Sequence, residues 1–239
     1  MILVIIMIIF IKQIMMNQLL FSTFFTLFFT IATGKPVPAK IADIAIPAGF
    51  KKLMEAKGDL DKDGIAELVV VFDTPKKVEL GTERQLWIYK QNGSVWKLWH
   101  KCIGPVLSSE HGGMMGDPFV SVEIKHGCIE IYHFGGDADK WQYTHRYRYQ
   151  NNNWYLIGAK IIFGRLCLQL SNYDYNLSTG KIEVIINTQK CDDNNEKVLS
   201  SKDEHFTLIR KPAKPILMDG IDIGENEVKL PGNHESFYF

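Results

Sequence analysis

The chain has 239 residues, and its 27 Lys and Arg balance 27 Asp and Glu, so it carries no formal net charge. No basic run supplies the phosphate-neutralising stripe that nucleic-acid binding would need, which argues against that partner class. Without the apolar N-terminal stretch about 200 residues remain, enough for one sizeable core or two small ones.

Residues 1–39 read as an export leader. The stretch to Thr33 is apolar apart from Lys12 and a few polar residues, and Met15 or Met16 offers an internal start before a hydrophobic segment beginning at Leu19. Small residues suited to cleavage stand at Ala32-Thr33-Gly34 and at Val37-Pro38-Ala39, although the preceding region carries little charge. An uncleaved anchor is the alternative, because residues 1–32 together are long enough to span a bilayer. The expected location is secreted or periplasmic, with membrane contact only through an uncleaved leader. No cysteine lies near the leader to support a lipid anchor. Setting the leader aside removes Lys12 and Lys35, leaving 25 basic residues against 27 acidic ones.

Residues 40–239 are expected to form a single, mainly β domain, with a division into 40–163 and 164–239 left open. The expected fold is a set of antiparallel hairpins in a sandwich or a partial propeller-like sheet. Pro47–Ala56 (PAGFKKLMEA) predicts one short helix, since proline suits a first turn and Phe50, Leu53 and Met54 are spaced to share a face.

Asp59, Asp61, Asp63 and Glu67 follow at positions 1, 3, 5 and 9 of a loop that turns at Gly64. Alternating carboxylates on a tight turn point inward together, which is what a hard cation with several oxygen ligands needs. The carbonyl of Ile65 supplies the expected backbone ligand, and Lys62 points outward. The predicted cofactor is Ca2+, bound by Asp59, Asp61, Asp63, Ile65 and Glu67. An EF-hand does not fit, because position 12 is Val70, inside the apolar run Leu68–Phe72 that predicts a buried strand. Asp-x-Asp-x-Asp-Gly-x-x-Glu entering LVVVF resembles the calcium loops of FG-GAP (VCBS-type) repeats, the blades of integrin-α-like propellers. With RQLWIYKQNG, GGMMGDPF and RYRYQNNNWYLIGA, it also resembles a group of exported bacterial proteins of uncharacterised function, over residues 46–160. That resemblance implies a secreted or periplasmic β-rich protein and brings no catalytic residues.

Hairpins follow in series. Arg84–Tyr89 turns at Gln91-Asn92-Gly93 into Val95–Trp99, Val120–Ile124 turns at His126-Gly127 into Cys128–Phe134, and Tyr143–Tyr149 turns at Asn151–Asn153 into Trp154–Phe163. Asn and Gly tolerate the positive φ that short hairpins demand. The first and third resemble each other, as a degenerate repeat or as ordinary aromatic cross-strand chemistry. Strands are predicted again over 166–175, 182–187 and 204–210, with 192–201 a polar mobile loop and no clear period beyond Pro212 and Pro215.

Cys102, Cys128, Cys167 and Cys191 are spaced too widely for a zinc knuckle or a redox pair, and export would allow three connectivities. Cys128 and Cys167 lie in apolar runs and read equally as buried thiols or as a bridge. His111–Phe119 and His133–Trp141 are glycine-rich, read first as structured turns; in the alternative, Asp117, Asp137 and Asp139 converge with His133 and His145. No Walker lysine, nucleophile elbow or fixed carboxylate pair is present. Trp87, Trp96, Trp99, Trp141 and Trp154 read as packing before glycan stacking. The expected function is a non-catalytic binding or cell-envelope module for a protein or glycan ligand; the alternative is a hydrolase acting on an envelope polymer or glycan.

Overall fold

The computed structural model describes residues 43–193, 198–232 and 234–239, so the expected leader lies outside the described residues. Among these residues no helix is long and apolar enough to cross a membrane. Two antiparallel meanders carry the fold. The first has four strands in chain order: β1 (Lys51–Gly58), β2 (Glu67–Val78), β3 (Gly81–Asn92) and β4 (Val95–Ile103). The second has seven: β5 (Phe119–Lys125), β6 (Cys128–Gly136), β7 (Lys140–Gln150), β8 (Asn153–Arg165), β9 (Gln169–Asn176), β10 (Lys181–Cys191) and β11 (Val198–Ile209). A small hairpin, β12 (Glu227–Val228) with β13 (Phe237–Tyr238), closes the chain.

The hairpin expectations hold because their turn chemistry is local. His126 and Gly127 have φ of 54° and 72°, and Asn151 and Asn152 have 49° and 59°, so both are two-residue turns with left-handed residues at both positions. The helix expected over Pro47–Ala56 is not formed. Pro47–Phe50 is instead a turn closed by a bond from Phe50 N to the Pro47 carbonyl, with Gly49 at φ 79°, and residues 51–58 pair with β2. A register shift between Lys52 and Met54 leaves Leu53 and Met54 both half-buried. That irregularity imitates helical spacing in the sequence. The polar stretch expected as a loop over 192–201 is also shorter, because Val198–Ser201 already pairs with β10.

The sheets face each other as a sandwich. Val69, Val71, Leu86 and Ile88 from the first sheet share one core with Val122, Ile129, Ile131, Tyr147, Ile161 and Val184 from the second. The two similar hairpins meet across it, with the Trp99 ring 4.6 Å from Tyr149 and 5.4 Å from Trp154. The opposite face of the first sheet, with Leu68, Val70, Phe72, Trp87 and Tyr89, is covered by Ile44, Phe50 and Trp96. Burial on both faces is why the β2 sequence is continuously apolar rather than alternating.

Candidate functional site

The Asp-rich segment is the connection between β1 and β2, and its shape follows from short side chains bonding their own backbone. Asp59 accepts from the Lys62 amide at 2.6 Å and from the Gly64 amide at 3.0 Å, while Asp63 Oδ1 accepts from the Ile65 amide at 2.7 Å. Lys62 and Gly64 take left-handed φ of 66° and 85°. These Asx-type bonds wrap the loop around its own carboxylates.

Oxygens of Asp59, Asp61 and Glu67 lie within 4.8 Å of one another. Asp63 is not in this group; its carboxylate is exposed and turned to the Ile65 amide, and the Ile65 side chain is exposed as well. Glu67 is the anchor. It is fully buried, and its Oε2 accepts from the Leu60 amide at 2.7 Å. Burial raises its carboxyl above the usual range, opposed by that amide bond and reinforced by the neighbouring Asp61. The Lys90 ammonium contacts Asp61 Oδ2 and lies 4.2 Å from the centre of the Trp99 ring. A cation suits this donor set on one further observation: Asp61 Oδ1 is buried without a hydrogen-bond partner.

The other acidic residues do not converge. Arg84, with a side chain only 1% exposed, grips Asp117 through two parallel bonds of 2.7 and 2.5 Å and reaches Asp73 at 3.0 Å. That clamp, with the Gly136 amide bonded to the Gly112 carbonyl, makes the glycine-rich stretch a structured connection. The Arg84 charge and the Phe119 amide hold the Asp117 carboxyl below its ordinary range against the opposing cost of burial. Asp139 pairs separately with Arg165 at 3.0 Å. His133 and His145 are both fully buried, and His133 Nε2 accepts from the Leu107 amide at 3.2 Å. Burial also lowers the pKa of both rings, His145 to about 4.

No known family model, curated protein or solved structure matches this chain. Two features went unread in the sequence. One is a groove of about 750 Å³, where Tyr143, Phe163, Tyr173 and Tyr238 stand beside Arg165 and Glu204. The other is the meeting of His100 and Cys102 with Asp219. Alternation along a strand puts His100 and Cys102 on one face and was available as a signal, but nothing local announces the aspartate. The tryptophans mostly pack: Trp154 is 1% exposed and Trp87 9%.

Proposed function

We propose that this chain is an exported β module, stabilised by Ca2+ in the β1–β2 connection, with a non-catalytic binding role at the cell envelope. The observation that carries the reading is the convergence of Asp59, Asp61 and Glu67 on one point, with Asp61 Oδ1 buried and unpartnered. Three carboxylates held together repel one another, and Lys90 offsets only part of that charge. A calcium ion would take oxygens from these three residues and complete its usual six to eight with backbone or water. Its role would be to pin the corner between the edge strand and the buried strand, so binding and local folding are coupled.

Three further points favour the reading. The loop resembles that of FG-GAP repeats. The disulfide between Cys167 and Cys191 suits an oxidising, extracytoplasmic compartment. The groove, with exposed Phe163 and Tyr238 beside charged groups, has the mixture of aromatic faces and hydrogen-bonding side chains that suits a glycan-class ligand. Hydrolysis draws no support from Asp117 or Asp139, each committed to its own arginine.

Calorimetric titration of the leader-free, chelator-stripped protein with calcium tests the proposal. One ion bound with a rise in melting temperature is expected. Superimposable melting curves in calcium and in chelator would remove it.

A further inference from the structure

On the opposite edge of the first sheet, β4 presents His100 and Cys102 at alternate positions, so both side chains leave the same face. Asp219 approaches them from the C-terminal segment. A His100 ring nitrogen, Cys102 Sγ and an Asp219 carboxylate oxygen lie within 4.8 Å of one another, with His100 Nε2 3.0 Å from Asp219 Oδ2. We propose that these three side chains form a zinc site, with a fourth, solvent-facing position completed by water.

The donor set carries the choice of metal. Thiolate, imidazole and carboxylate together suit a borderline-soft divalent ion with no geometric demand of its own, and three protein ligands leave one tetrahedral position open. Zinc bonds of about 2.0–2.3 Å place ligand atoms roughly 3.3–3.8 Å apart, so the existing cluster needs only a small contraction. A second observation points to a ligand. His100 Nε2 is buried yet has no hydrogen-bond partner among the described residues, because the nearby Asp219 oxygen lies off the direction that a hydrogen bond requires.

The framework is already rigid. Cys102 is 2% exposed, and its thiol donates to the Leu86 carbonyl at 3.4 Å. Asp219 is fixed from both sides, by the bond from the Met218 amide to the Trp154 carbonyl at 3.0 Å and from the Gly220 amide to the Ile103 carbonyl at 2.9 Å. Gly104 leaves room for this approach, since a Cβ there would meet the Ile221 carbonyl oxygen at 2.7 Å. Asp219 remains 43% exposed along its side chain, which supplies the entry path. Binding would displace the Cys102 thiol proton to solvent as the sulfur–zinc bond forms. The ion would tie the C-terminal segment to β4.

Titration of the chelator-stripped full chain with Co2+, followed by displacement with Zn2+, tests this site by a signal that calcium binding at the Asp59 loop does not give. A near-ultraviolet cobalt–thiolate band is expected to saturate at one equivalent and to vanish when zinc is added. It should be lost in Cys102→Ser. Asp219→Ala, at the exposed side of the cluster, should melt like the parent without metal and bind cobalt more weakly by more than about a hundredfold, beyond the roughly 10–100-fold that losing a supporting outer partner costs. A folded parent protein with no such band overturns the proposal, as does a band that survives in Cys102→Ser, which would place the metal on Cys128.

Discussion

At the residue scale, the candidate calcium loop is a balance between carboxylates and one ammonium group. Replacing Lys90 with methionine leaves Asp61 and Glu67 without their cation, since the ammonium contacts Asp61 and adds to the field at Glu67. The expected outcome is a lower melting temperature in chelator and a larger rise on adding calcium than in the parent, read by thermal denaturation. Asp61→Ala acts in the opposite sense and should abolish the calcium-dependent rise. Calcium affinity should also weaken on acidification, because the ion needs Glu67 ionised and burial holds that carboxyl above its ordinary 4.5. The carboxylate spacing that suggested this loop is visible in the sequence because all its groups lie within one turn of chain. The His100, Cys102 and Asp219 cluster is not, because a ligand set assembled from one strand and a segment far along the chain has no local spacing to read.

A second residue-scale consequence concerns acid. His145 is fully buried, neither of its ring nitrogens has a hydrogen-bond partner among the described residues, and burial depresses its pKa from 6.5 to about 4. His133 behaves in the same direction, through burial first and the neighbouring His145 second. The unfolded chain therefore binds protons that the folded chain refuses. Stability is fully present above pH 6.5 and falls as the pH drops towards 4, by about 3 kcal/mol for His145 alone. Denaturant midpoints measured across that window should decline in the parent and decline less in His145→Phe, whose ring suits the Tyr143 and Tyr147 neighbours 5.6 and 6.4 Å away.

At the element scale, the turns were legible and the first element was not. Asn and Gly pairs dictate their own left-handed backbone, so the β5–β6 and β7–β8 hairpins follow from a few adjacent residues. Residues 51–58 have no such local dictation. Their strand state comes from pairing with β2, a tertiary contact that overrides the helical spacing of Phe50, Leu53 and Met54. The disulfide belongs to this scale too. Cys167, in the connection after β8, joins Cys191 at the end of β10, closing a loop with a sequence separation of 24. Opening it frees the unfolded chain and should cost about 3 kcal/mol. Cys191→Ser, or reduction of the parent, should lower the melting temperature by roughly 6–12 °C for a domain of this size.

At the scale of the whole molecule, the segment after Arg210 is part of the core even though its sequence has no strand or helix period. Met218, Ile221, Ile223, Val228, Leu230, Phe237 and Phe239 are all buried, and the Phe237 ring stacks on Tyr173 of β9 at 4.4 Å. An irregular segment can supply apolar anchors at any spacing, so periodicity was blind to its role. The energetic weight is nevertheless large. Each buried side chain of this kind contributes about 1.5–3 kcal/mol, so seven of them together are worth about 10–21 kcal/mol, at least as large as most of the roughly 5–15 kcal/mol of net stability typical of a folded domain. Removing residues 211–239 would strip these side chains from the shared core and withdraw Asp219 from β4. The truncated chain is therefore expected to lose its cooperative melting transition and to expose apolar surface to a hydrophobic dye. A truncated form that still melted cooperatively near the parent temperature would show that the two sheets hold together without this closing segment.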